Sequence, residues 1–471
     1  MKKFYNCILT LLLSLSCHTN VKSETPVDSA LANALQNKID NYISQFSIPG
    51  ISVTLFLPGE RVWSGAAGLS HIYNLTPMDT SHLFEMASVT KMYTAAIIFQ
   101  LVQEGLLSLD DTVGKYLPPM NYIPSGTTIR NMIRHRSGLY NYTNNSTIAN
   151  EWFNHPDSIW PHLQMINTFV NAPPIFPQGT SFAYSNTNFF LLGMIIEAIT
   201  GNTFADELKN RILIPHGLSQ IYFPPDDSIP AATKTPGWTS FTTVGVYDTD
   251  ASAILNDCST SMAYTAGAIV AKPADACKFT KLLWTGNIIS DSSLNIMKQC
   301  TNVNMGSNCS GYGYGAMRYG FNGKIYYGHS GDISGFTELT FYGTTDSVGL
   351  IISINRNSAP RGPIAIDLMS FVNQLITSID NLEEDGFDLS VFPNPASENI
   401  HLKFSSSEKR KIEIGIFNQL GNVVRENLKY ASTGNDTYSI DVSDLSSGIY
   451  YVRLNIDDKI ISRKIVLMNE K

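Results

Sequence analysis

The sequence is poor in charge, and poorest in positive charge. Only 15% of its 471 residues are Asp, Glu, Lys or Arg, and 32 basic against 40 acidic residues give a formal net charge of -8. That argues against nucleic acid as a partner, because a phosphate backbone is held by clustered cations. The one basic cluster is Lys409-Arg410-Lys411. Long apolar runs are scarce too: after the N-terminus no segment is long and apolar enough to span a bilayer as a helix. Cysteine is rare. Cys7 and Cys17 lie in or beside the N-terminal apolar stretch, leaving Cys258, Cys277, Cys300 and Cys309. Their spacing fits no zinc pattern. Sequence alone leaves two states open, four free thiols or disulfides, of which Cys300 with Cys309 closes a short loop. The zinc-protease pattern His-Glu-x-x-His is missing, and the nine histidines show no ligand spacing, so no metal or other cofactor is expected. No Gly-x-Ser-x-Gly elbow occurs, which argues against an α/β-hydrolase. Gly311-x-Gly313-x-x-Ala316 matches a dinucleotide fingerprint only loosely and has no helix after it.

What is present starts with an export signal in form. Lys2 and Lys3 precede the apolar run "CILTLLLSLS", and small polar residues follow. Residues 1–23 are therefore expected to direct export, to the cell surface or the medium by way of the periplasm. Lipid attachment at Cys17 is the alternative, although Ser14 stands where such signals carry an aliphatic residue.

Residues 28–46 place Leu31, Leu35, Ile39, Tyr42 and Ile43 at helical spacing. "ISVTLFLPGERVWSGAAGLSH" reads as a hairpin turning at "PGE". Helical patterns dominate from Ser88 to about Leu213, including "TIRNMIRH" and "NFFLLGMIIEAITG". Strand patterns return in "GYGYGAMRYG", "KIYYGHSG", "GFTELTFYG" and "SVGLIISIN", before a helix ending near Asp380. The expected fold class is α+β: strands from both ends form one antiparallel sheet flanked by helices, with an all-helical subdomain between. After "DNLEEDG" short alternating runs predict a small C-terminal β-sandwich. The expected domains are 24–383 and 384–471.

Three polar groupings stand out. Ser88 and Lys91 lie three apart at the start of an apolar helix, so their Cβ atoms fall on one face, about 5–6 Å apart. A hydroxyl needs a base to become a nucleophile, and burial is what turns a lysine into an amine that can serve. Alone, the pair reads as ordinary surface residues, because chance matches to Ser-x-x-Lys are common. Tyr184-Ser185-Asn186 precedes "FFLLG", where a phenol can relay a proton and an amide can hold a substrate, or where Ser185 or Asn186 simply caps the helix. His329-Ser330-Gly331 sits in a strand, where a glycine lets a ligand approach the backbone and a histidine is often structural.

Taken in order, Ser88-x-x-Lys91, Tyr184-x-Asn186 and His329-x-Gly331 resemble the three motifs of the penicillin-recognising serine hydrolases. The nearest branch resembles class C β-lactamases, D-alanyl-D-alanine carboxypeptidases and related esterases. "LVQEGLLSLDDTVGKYLP", "TIRNMIRHRSGL" and "GHSGDISGF" fit as well, and the likeness covers roughly residues 28–380. It implies a β-lactamase/transpeptidase-like fold and an acyl-enzyme on Ser88. Lys91 and Tyr184 would share the proton transfers, and Asn186 would hold the substrate amide and Lys91. Ser330 would bind a substrate carboxylate, and the N–H groups of Ser88 and Asp332 would form the oxyanion hole. His329 replaces the lysine of true β-lactamases, which favours peptidase or esterase chemistry. The substrates implied are small molecules or peptides: D-Ala-D-Ala-type peptides, esters or β-lactams. The alternative is a weakly catalytic or non-catalytic penicillin-binding, peptide-sensing protein.

At the C-terminus "FDLSVFPNPASENIHLKF", "LSSGIYYVRL" and "SRKIVLM" resemble the sorting domain of type IX secretion substrates in Bacteroidetes. The resemblance implies the type IX secretion machinery as a partner. An adhesive β-sandwich is the competing reading of this module.

Overall fold

The structure is a computed structural model. It describes residues 24–468 apart from 231–232, 241–248, 252–256, 384–387, 406–409, 419–422, 433–435 and 457–458. The N-terminal apolar stretch, with Cys7 and Cys17, lies outside the described residues. The chain forms two compact units, Met1–Ile366 and Asp367–Lys471; the division falls inside the helix Arg361–Glu383.

In the first unit, α1 (Ser29–Gln45) buries Leu35, Ile39 and Tyr42. It packs on the hairpin of β1 (Gly50–Leu57) and β2 (Arg61–His71). The turn between them needs left-handed backbone at Gly59 (φ +77°) and Glu60 (φ +60°). Five late strands complete the sheet: β3 (Cys309–Tyr312), β4 (Met317–Phe321), β5 (Lys324–Ile333), β6 (Phe336–Gly343) and β7 (Val348–Ile354). Their order is β2-β1-β7-β6-β5-β4-β3. Strand β7 lies antiparallel to β1, pairing Ile352 with Val53, so the two ends of the unit join at the sheet centre. One strand departs from the all-antiparallel expectation. Thr25–Pro26 runs parallel to the start of β2, held at the edge by Thr25 N–H to Glu60 O and Val27 N–H to Val62 O.

Every residue of β1, β6 and β7 is buried, so the central sheet is covered on both faces. Between the strand groups lies the helical part. In α2 (Thr90–Gln103) every residue from Thr90 to Phe99 is buried. A helix apolar all round is a core helix, and α3 (Asn186–Thr200) packs against it. Gly201 stops α3 in the left-handed region (φ +72°). A small sheet not foreseen from sequence joins Phe84–Glu85, Val270–Ala271 and Ile221–Tyr222, and its first strand leads into the turn carrying Ser88. Cys258, Cys277, Cys300 and Cys309 are all free thiols. Among the described residues no single helix is long and apolar enough to cross a membrane.

Among the described residues the second unit holds seven strands between Asp388 and Leu467, in a three-stranded and a four-stranded antiparallel sheet. Ile400, Leu402, Ile412, Ile414, Val452 and Ile465 share one core between them.

Candidate active site

Ser88 sits in a single 3-10 turn, Ala87–Val89, that runs directly into α2. Ala87 takes φ +46°, a left-handed conformation that costs a non-glycine residue energy and that clusters at functional sites. Lys91 is in the first turn of α2 and is fully buried. Its Nζ lies 2.9 Å from Ser88 Oγ, 2.7 Å from Asn186 Oδ1 and 2.7 Å from the main-chain O of Ala266. None of these partners is an acid. Burial therefore drives the Lys91 pKa well below that of a free lysine, with nothing nearby to restore the charge.

The three contacts orient the amine. A neutral amine has two N–H bonds and one lone pair. The Asn186 and Ala266 oxygens are acceptors only, so they take the two hydrogens. The lone pair is left facing the Ser88 hydroxyl. With Asn186 in this sense, its Nδ2 donates to Thr143 Oγ1 at 3.2 Å. The Asn186 main-chain N–H is held in turn by Asn141 Oδ1 at 3.0 Å. Ser185 occupies the N-cap position of α3, yet its side chain makes no capping bond. The capping alternative thus describes the backbone only, and the Asn186 amide serves Lys91.

Tyr184 lies beside Ser88, and its ring centroid is 5.0 Å from Lys91 Nζ. Burial pushes the phenol above its usual pKa, while the nearby Ser88 hydroxyl works the other way. A phenol so placed stays protonated and is a donor, not a base.

His329 is fully buried on β5. Its Nδ1 lies 2.6 Å from Ser330 O, an acceptor, so Nδ1 carries the proton and Nε2 accepts from the Tyr312 hydroxyl at 3.3 Å. Burial lowers its pKa to about 3. The imidazole is neutral at physiological pH. Ser330 stands apart from the others: its hydroxyl donates to Met317 Sδ at 3.5 Å. Gly331 is needed for a reason other than ligand approach. A Cβ there would meet Met86 O at 2.4 Å, so the strand presses on the chain's own backbone just ahead of Ser88. Ser88, Asn186 and Asp332 line a cavity of about 220 Å³, with Tyr142, Trp152 and Gly267 among its other walls.

Sequence reasoning brought Ser88, Lys91, Tyr184 and Asn186 into one cluster and missed the groups that orient them: Asn141, Thr143, His135 and the Ala266 carbonyl. A main-chain carbonyl leaves no mark in a sequence. His135 lies in the stretch "TIRNMIRHRSGL", noticed only as family-like text.

The profile of the Beta-lactamase family matches residues 35–374. That of the secretion system C-terminal sorting domain matches residues 390–468. Penicillin-binding protein 4* of Bacillus subtilis (strain 168) is 30% identical over 164 residues, which is 34% of this chain and only 35% of that relative. Penicillin-binding protein 4 of Amycolatopsis lactamdurans is 23% identical over 350 residues, covering 71% of this chain and 87% of the relative. Among solved structures, D-amino acid amidase from Ochrobactrum anthropi SV3 superposes with a TM-score of 0.67 at 25% identity, over 74% of this chain and all of that one.

Proposed function

The chain belongs to the Beta-lactamase family across residues 35–374, and from that premise we propose that it is an exported serine hydrolase acting through an acyl-enzyme on Ser88. In this reading residues 1–23 direct export, 24–383 form the hydrolase, and 384–471 engage the type IX secretion machinery. The observation that carries the chemistry is the Lys91 amine, buried without an acid and aimed at the Ser88 hydroxyl.

Lys91 takes the Ser88 proton as Oγ attacks the substrate carbonyl. The main-chain N–H groups of Ser88 and Asp332 receive the oxyanion, where one donor is typically worth about 2.7–4 kcal/mol. As the scissile bond breaks, the Tyr184 phenol protonates the leaving group and regains its proton from the Lys91 ammonium. Water then hydrolyses the ester. His329, with no positive charge to offer, supports the ring cluster around Tyr184.

Charge narrows the substrate. Asp332 is the one charged residue among the described residues lining the cavity. The nearby cation, Arg361, is paired with Asp332 at 2.5 Å, and residues 241–256 contain no Lys or Arg. Among the described residues lining the cavity there is no cation for a substrate carboxylate. This favours amides and esters without a carboxylate, in keeping with the D-amino acid amide hydrolysed by the Ochrobactrum enzyme, over β-lactams or D-Ala-D-Ala peptides. The relatives named penicillin-binding proteins support a second reading, in which acylation occurs and turnover does not.

A fluorophosphonate probe and a substrate panel test both. Wild type is expected to be labelled and Ser88→Ala not. Amino acid amides and simple esters are expected to turn over faster than carboxylate-bearing substrates. Labelling without turnover of any of them selects the binding reading, and failure to label wild type overturns the acyl-enzyme.

A further inference from the structure

Tyr184 is held from both sides by one buried residue. The main-chain carbonyl of His135 accepts from Ala183 N–H at 3.0 Å, and its ring Nδ1 accepts from Ser185 N–H at 3.1 Å. The residues before and after Tyr184 are thus bonded to the same histidine. The imidazole also lies against the phenol, with ring centroids 4.1 Å apart, and packs on Tyr312 at 4.7 Å and Phe189 at 5.2 Å.

The tautomer follows from the partners. Asn188 Nδ2 also lies 3.1 Å from His135 Nδ1. The Asn188 amide is oriented by Ser137, whose hydroxyl donates to Asn188 Oδ1 at 2.5 Å and itself accepts from Leu139 N–H at 3.1 Å. Two donors therefore converge on Nδ1, which carries a lone pair, and the proton is on Nε2. That Nε2 is buried with no hydrogen-bond partner among the described residues. His135 also takes φ +54°, a left-handed backbone rare outside glycine. An unpartnered donor and a strained backbone are both costs to the fold, and features of this kind persist where surroundings over-determine them, often at functional sites.

We propose that His135 is a positioning residue for the acyl transfer: it fixes Tyr184 against Ser88 by clamping the main chain on either side of the phenol and packing on its ring. The proposal rests on the serine-hydrolase reading. Only histidine does both jobs here. Asparagine supplies an acceptor where Nδ1 stands and tolerates left-handed backbone, but has no ring. Phenylalanine supplies the ring and no acceptor. His135 touches neither Ser88 nor Lys91 by hydrogen bond, so its effect must pass through Tyr184.

The test is a double-mutant cycle on the full chain, using whichever ester or amide the wild type turns over best. His135→Phe is expected to lower kcat about 10²-fold, the scale of a misplaced reacting group, with KM changed about twofold or less. His135→Asn, which keeps the acceptor, is expected to recover kcat to within about tenfold of wild type, one hydrogen bond's worth or less. In a Tyr184→Phe background, His135→Phe is expected to cost about twofold or less, because the group it positions is gone. Melting curves check that each variant folds. If His135→Phe does not, His135→Gln replaces it, since its amide sits where Nε2 stood and leaves Ser185 N–H unbonded. An equal loss from His135→Phe in both backgrounds, or His135→Asn no better than His135→Phe or Gln, makes His135 merely structural and overturns the proposal. A wild type that the fluorophosphonate does not label sinks the hydrolase reading itself, which is a different result.

Discussion

Two lysines leave water close to the same turn, and their surroundings could hardly differ more. Lys234 meets Glu85, whose carboxylate is fully buried three residues before Ser88, at 2.5 Å. Lys91, three residues after Ser88, meets a hydroxyl, an amide oxygen and a main-chain carbonyl. A buried charge with a counter-charge is retained as an ion pair. A buried charge without one is given up as a lowered pKa. Lys234 therefore reads as a clasp between the strand entering the Ser88 turn and the segment beside it, where Leu83 bridges Lys234. Lys91 reads as a base. The residue is the same in both cases; what differs is the neighbour, together with a 19% exposure of the Lys234 side chain that the fully buried Lys91 lacks.

The sharpest way to break this contrast is to give Lys91 what Lys234 has. Asn186→Asp places a carboxylate where an amide oxygen now lies 2.7 Å from Nζ. An opposite charge at that range raises the lysine pKa by about 1–3 units, and Lys91 becomes an ammonium with no lone pair for Ser88. Acylation at pH 7 is expected to fall by about tenfold for each unit by which the raised pKa exceeds 7. The acid limb of the kcat/KM profile should move to higher pH, so part of the loss returns on raising the pH. Stability gives an independent reading. In wild type the native state lacks a proton that the unfolded chain binds, between the lowered pKa and 10.5. The Lys91 contribution to stability therefore rises as pH climbs through that window. In Asn186→Asp this slope should flatten, measured as melting temperature against pH. An unmoved acid limb would show that Lys91 is not the group it reports.

The second test removes the clasp. Glu85→Gln leaves Lys234 unpaired. Its side chain is 19% exposed and can reach water, so the expected loss is about 1–3 kcal/mol, below that of a pair sealed from solvent. Urea unfolding measures it. The acid limb should stay in place. If Glu85→Gln moves that limb as far as Asn186→Asp does, the two lysines are one electrostatic unit and the contrast is false.

Much of this was legible before any coordinates. The short apolar run in "SVGLIISIN" and the longer one after Lys91 point to a buried strand and a buried helix, because burial of side chains governs both. Ser88, Lys91, Tyr184 and Asn186 were found because three motifs, each weak alone, resemble in their order those of a known hydrolase family. Other features were not legible, for physical reasons. Glu85 and Lys234 are 149 positions apart in number and meet only through the pairing of Leu83 with Lys234. Gly331 looked like a ligand approach, and what approaches is Met86 O. Ser330 shared a motif with His329 yet turns its hydroxyl to Met317. Neighbours on a strand point to opposite faces, so adjacency in a motif does not mean adjacency in a site.

The finest test concerns what keeps Lys91 among neutral partners in the right order. Asn186 presents oxygen and not nitrogen to Lys91, and its Nδ2 donates to Thr143 Oγ1. Thr143→Val keeps the side-chain shape and deletes that acceptor. The amide is then free to rotate, and in the rotated state it aims N–H at an amine whose lone pair should face Ser88. Losing one neutral hydrogen bond of this kind costs about 1 kcal/mol, so acylation should fall about fivefold, with the acid limb fixed because no charge has changed. The size of the effect ranks the two roles of Asn186. A loss as large as that of Asn186→Asp would mean that amide orientation, and not the absence of charge, is what makes Lys91 a base. No loss at all would mean that Ala266 O and Ser88 alone suffice to orient the amine.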